Sequence, residues 1–99
     1  NWYTVGTDSN GVTWSIDNDS VKKDDKKAVM DIKAMDYEGY HYIVTEEFNH
    51  KKREVKDLKV TLYNPQGYVV KEEQVNKDSR KVEPGTPAYA VFQLIWGGK

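Results

Sequence analysis

The chain has 99 residues, enough for one domain that removes roughly 65% of its unfolded surface from water. It contains no cysteine, which excludes a disulfide scaffold and any thiolate site but does not exclude secretion. With 15 Lys and Arg against 16 Asp and Glu the net charge is −1. That leaves no long-range field to gather nucleic-acid phosphates, so no nucleic-acid partner is expected.

No apolar run approaches the roughly 18 residues of a membrane span. Aromatic residues make up 12% of the chain against 37% hydrophobic. Trp and Tyr therefore supply much of the packing area, which suits sheets better than helix bundles. The first residue is Asn1 rather than Met, which fits a mature exported protein whose signal peptide has been removed, or equally a trimmed chain.

Residues 1–7 and 12–17 are two β-like runs around Asp8-Ser-Asn-Gly11, where Asn-Gly can take the positive φ angles of a tight hairpin. Val12, Trp14 and Ile16 alternate with Thr13 and Ser15, the pattern of a half-buried strand. Residues 17–20 form a turn, and Val21 is expected to tuck back under the sheet. The mixed-sign run 22–27 reads as a solvated loop. A cation site at Asp24 and Asp25 is disfavoured by the four lysines beside them.

In residues 28–37 Ala28, Met30, Ile32 and Ala34 share one face. A turn at Glu38-Gly39 leads to residues 40–49, where Tyr40, Tyr42, Val44 and Phe48 share a face. The basic tip His50-Lys-Lys-Arg53 precedes residues 54–64, whose Leu58, Val60 and Leu62 are expected to face the core. Asn64-Pro-Gln-Gly67 has the chemistry of a type I turn, residues 68–75 form a sixth strand, and residues 76–83 read as a polar surface crossing.

Near the carboxyl end, Thr86 can cap a helix and Pro87 fits its first position. Ala88, Val91, Phe92, Ile95 and Trp96 then share one face, while Ala90 and Leu94 on the other side predict cover on more than one side. A buried strand competes, because Val-Phe-Gln-Leu-Ile-Trp is rich in β-formers. The cap pair favours the helix. The expected fold class is α+β: one domain over residues 1–99, with a meander of about six antiparallel strands and a C-terminal helix on one face.

No catalytic constellation stands out. His41 and His50 are too loosely spaced for a metal pair without help from Glu46 or Glu47, and Ser15, Ser20 and Ser79 lie in no nucleophile motif. No cofactor is implied and no enzyme is expected. His50, Lys51, Lys52 and Arg53 are candidates for an acidic glycan or protein, with a solvated turn as the plainer reading. Tyr37 and Tyr63 are candidates for surface contact, whereas Tyr40 and Tyr42 are assigned to the space between sheet and helix.

Three stretches together resemble the surface-adhesin protein E family of small exported bacterial domains. They are residues 12–21 (Val-Thr-Trp-Ser-Ile-Asp-Asn-Asp-Ser-Val), Leu62-Tyr-Asn64 leading to Gly67, and Pro84-Gly-Thr-Pro-Ala-Tyr89 with Gln93 and Ile95. The resemblance implies export, a six-stranded antiparallel sheet and a C-terminal helix on its concave side. It also implies a disulfide tying helix to sheet. Here Trp96 stands at the helical cysteine's place, and the partner position near His50 lacks a cysteine too, so the tether must be non-covalent.

The reading is a non-catalytic, exported domain acting by surface contact with an extracellular protein or glycan. Its rival is a carrier or sensor of a small apolar or aromatic ligand in the gap between sheet and helix, with Trp14, Tyr40, Tyr42, Phe92 and Trp96 converging on it. A third reading is a homodimer that covers Ala90 and Leu94.

Overall fold

The computed structural model describes residues 1–75 and 78–97. Six main strands run antiparallel in the order β1 (Trp2–Thr7), β2 (Thr13–Asp17), β4 (Lys27–Met35), β5 (His41–Asn49), β6 (Glu54–Tyr63) and β7 (Val69–Gln74). Two additions have only two residues each: β3 (Lys22–Lys23) pairs with β4, and β8 (Arg80–Lys81) pairs with β6. The helix α1 (Pro87–Trp96) lies across one face. The meander and the terminal helix agree with the sequence, and the competing strand reading of residues 91–96 does not hold. Thr86 Oγ1 accepts from the Tyr89 N–H at 3.2 Å and Gly97 closes the helix in the left-handed region, so both ends have caps.

Three hairpins turn at one end of the sheet by the same device. Asp8, Asp36 and Asn64 each accept on Oδ1 from the N–H groups two and four residues on, at 2.9 to 3.1 Å. Each is followed three residues later by a glycine at positive φ: Gly11 (81°), Gly39 (96°) and Gly67 (90°). Asn10 is not among the positive-φ residues. The first turn is therefore framed by Asp8 and Gly11, not by a two-residue Asn-Gly loop, because the Asp8 carboxylate supplies the acceptors that the turn's N–H groups need.

The core is Ile16, Ala28, Met30, Ile32, Phe48 and Val55 from the sheet and Val91, Phe92 and Ile95 from α1. Trp14, Val21, Ala88 and Trp96 pack around it. On β6 the core residue is Val55, while Leu58, Val60 and Leu62 are only half-buried. A register shift displaces Leu58: Thr45 pairs with Lys59, but Glu46 pairs with Asp57, so Leu58 is skipped, while Val60 and Leu62 stay opposite Val44 and Tyr42 on the part of the face that α1 leaves uncovered. Strict alternation fails at such a bulge. Leu94 is half exposed, whereas Ala90 is half-buried beside Val5, Gly6 and Thr7 of β1, so the outer side of α1 is covered in part.

The run 22–27 is not a merely solvated loop. Lys22 and Lys23 pair with Val29 and Ala28, the Lys23 ammonium donates to the Ile95 carbonyl at 2.8 Å, and the Trp96 indole N–H donates to the Asp24 carbonyl at 3.1 Å. A cation at the carboxyl end of a helix complements its dipole. Asp24 spends its own Oδ1 on the N–H groups of Lys26 and Lys27, at 2.7 and 2.9 Å.

Candidate functional site

A ten-residue helix is roughly 15 Å long, whereas strands of nine and ten residues reach roughly 30 Å. So α1 cannot cover the whole of the face on which it lies. It runs from Trp14, beside the first turn, to the β5–β6 tip, burying Phe48 and Val55, and leaves the face beside the β4–β5 turn bare. There Val12, Ala34, Tyr40, Tyr42 and Leu62, with Asp36, line an open hollow of about 390 Å³. Ala34 and Leu62 flank Tyr42 in register on the neighbouring strands, and Tyr40 and Tyr42 are 44% and 48% exposed. The sheet–helix filling expected of these two tyrosines is absent because the helix ends short of them.

Between this shelf and the packed core lies a cleft of about 570 Å³, roofed by Arg80 to Lys81 and by Glu83, Thr86, Pro87 and Ala88. Its sheet side is Trp14, Ile32 and Val44, with Glu46 and Asp57 behind. The bulge at Leu58 sets Glu46 and Asp57 side by side. Arg80 reaches both, donating from Nη2 to Glu46 Oε2 at 3.0 Å and from Nη1 to Asp57 Oδ1 at 3.3 Å. Burial, and then the hydrogen bond and charge of Asp57, raise the Glu46 carboxyl to about 8, against the opposing pull of Arg80. Burial works against the Arg80 charge as well, yet the two carboxylates outweigh it and hold the guanidinium above its ordinary range.

The five residues expected to line one ligand gap do not converge. Phe92 is fully buried. Trp96 lies at the far end against His50, Trp14 lines the cleft with its indole N–H on Asp8 Oδ2 at 3.1 Å, and Tyr40 and Tyr42 sit on the shelf. That bond, first, and the Val12 N–H hold the Asp8 carboxyl below its usual range. The six contact candidates are also dispersed. His50 stacks on Trp96, and Arg53 sits 5.5 Å from the Phe92 ring centroid, so both help to seat the helix. Lys51 and Lys52 are exposed at that tip. Tyr37, 85% exposed, occupies the β4–β5 turn at the opposite end, and Tyr63 is stacked on His41 with centroids 5.0 Å apart.

Sequence reasoning missed the Glu46–Asp57–Arg80 cluster. Arg80 falls in a stretch read as surface crossing, and no local motif joins the three. A signal existed, however: Glu46 continues the inward alternation Tyr40, Tyr42, Val44 toward Phe48, and a carboxyl group on an apolar face demands a partner. Among the described residues, no group of three or more His, Cys, Asp and Glu side chains is arranged to hold a metal ion.

The family model for surface-adhesin protein E matches residues 2–95. No curated protein and no solved structure matches the chain. The family match spans the hairpins, the sheet and all but the last residue of the helix; the chain belongs to the surface-adhesin protein E family.

Proposed function

We propose that this is an exported, non-catalytic, adhesin-like domain that holds an extracellular protein or glycan against the bare end of the face that carries its helix. Family membership supports the adhesin-like role and the export. The observation that carries the choice of surface is the pair Tyr40 and Tyr42, half exposed beside Ala34 and Leu62 where the helix stops short. Tyrosine rings bring large, rigid contact area with a polar end, the kind of side chain that anchors interfaces. Tyr37 extends this surface at the adjoining turn, while Lys51 and Lys52 would serve a second, weaker contact at the other end.

The test is solid-phase binding of the purified domain to an immobilised panel of extracellular-matrix proteins and to a glycan array. Binding by the native chain should fall at least about tenfold in the Tyr40→Ser/Tyr42→Ser variant and persist in Lys51→Glu/Lys52→Glu. The opposite pattern moves the contact surface to the basic tip and overturns the assignment.

A further inference from the structure

The cleft beneath Arg80 and α1 is separate from the shelf, and nothing in the contact reading requires it. Its walls are apolar and fixed: Trp14 is held by Asp8, and Ile32 belongs to the core. Its inner end is a carboxyl group, since the Glu46 side chain is only 9% exposed. Among the described residues Arg80 donates to this carboxyl on Oε2, and the carboxyl's own proton is shared with the neighbouring Asp57, which accepts it.

The charge around the cleft is lopsided. Glu46 aside, since it holds a proton up to about 8, Asp57 and Glu83 line it against Arg80. Lys81 contributes its stem but points its ammonium elsewhere, donating to the Lys52 carbonyl at 3.0 Å and pairing with Glu54 at 3.6 Å.

We propose that this cleft binds a small organic cation, with its ammonium group beside Glu46 and an apolar or aromatic body against Trp14 and Val44. The volume of about 570 Å³ lies in the usual range for small-molecule sites, and an indole wall favours a cation further. Because burial and Asp57 hold the Glu46 carboxyl at about 8, the ammonium takes the place of a proton near neutral pH. Binding therefore releases that proton to solvent.

The probe is phenethylammonium, compared with phenylacetate as the anion of similar shape and benzyl alcohol as the neutral one. Titration followed by amide and indole NMR shifts should move Trp14, Val44 and Ala88 with phenethylammonium, and bind phenylacetate at least about tenfold more weakly. Calorimetry in two buffers of different ionisation enthalpy should show proton release by the native chain, a readout that needs no variant. Glu46→Gln should weaken binding about tenfold or more with the rest of the spectrum retained. Equal or tighter binding of phenylacetate, absence of proton release, unchanged affinity in Glu46→Gln, or no shifts at millimolar probe would each overturn the proposal.

Discussion

The imidazole of His50 lies face to face with the indole of Trp96, their centroids 4.3 Å apart and their planes 2° from parallel. Trp96 stands at the position, and His50 near the position, at which the family resemblance implies a helix-to-sheet disulfide, so a ring stack lies close to where a covalent tether would be. Hydrogen bonds fix both rings: His50 Nδ1–H donates to the Asp25 carbonyl at 2.9 Å and Trp96 Nε1–H to the Asp24 carbonyl at 3.1 Å. A stacked pair adds about 0.5 to 1.5 kcal/mol beyond burial, and a disulfide typically about 2 to 4 kcal/mol. The stack alone is the weaker tether, and the Phe92 edge contact and the Lys23 bond to the helix end add to it.

Trp96→Ala removes the stack, the 5.0 Å edge contact with Phe92 and the bond to Asp24 together. Trp96 is half-buried, so the expected loss is about 2 to 3 kcal/mol, at or just below the low end for deleting a buried aromatic ring. For a chain of this size that lowers Tm by roughly 10 °C or more. Thermal unfolding followed by circular dichroism measures it, and an unchanged Tm would count against the docking scheme.

Glu46 sets the expected pH dependence. In the folded chain its carboxyl holds a proton up to about 8, while the unfolded chain releases it near 4.5. The folded state binds more protons in that window, so the stabilisation is complete below about 4.5 and is lost as pH rises through about 8. One proton limits the slope to ~1.4 kcal/mol per pH unit. Urea midpoints across the window should fall with rising pH in the native chain relative to Glu46→Gln, which lacks the titrating group; parallel curves for the two proteins would refute the assignment.

The repeated turns make a graded prediction. Gly11→Ala meets open space but keeps φ at +81°, whereas Gly39→Ala has φ of +96° and would also place a Cβ 3.2 Å from the Pro65 Cβ. The left-handed backbone alone costs about 1 kcal/mol. Denaturant unfolding should therefore show Gly39→Ala as the more destabilised of the two, and equal losses would mean that the neighbouring turn yields freely.

Strand alternation and the Thr86-Pro87 start made most of the meander and the helix legible in the sequence, because both signals are local. What stayed hidden depends on distance in space. The bulge that pairs Glu46 with Asp57 breaks a period that sequence patterning assumes unbroken, and Arg80 joins them from 34 and 23 positions along the chain. The lysine-rich run looked solvated because nothing nearby in sequence shows that Lys23 meets a helix end 72 residues later. Tyr40 and Tyr42 were legible as inward-facing, but which part of a face a short helix covers is set by where it docks.

A double-mutant cycle on His50→Ala and Trp96→Ala tests the ring clamp directly, since it isolates what the two side chains contribute together. If their stack holds the helix at one end of the sheet and leaves the other end bare, unfolding of the four proteins should yield a coupling energy of about 1 kcal/mol. Strictly additive losses, with coupling near zero, would contradict it.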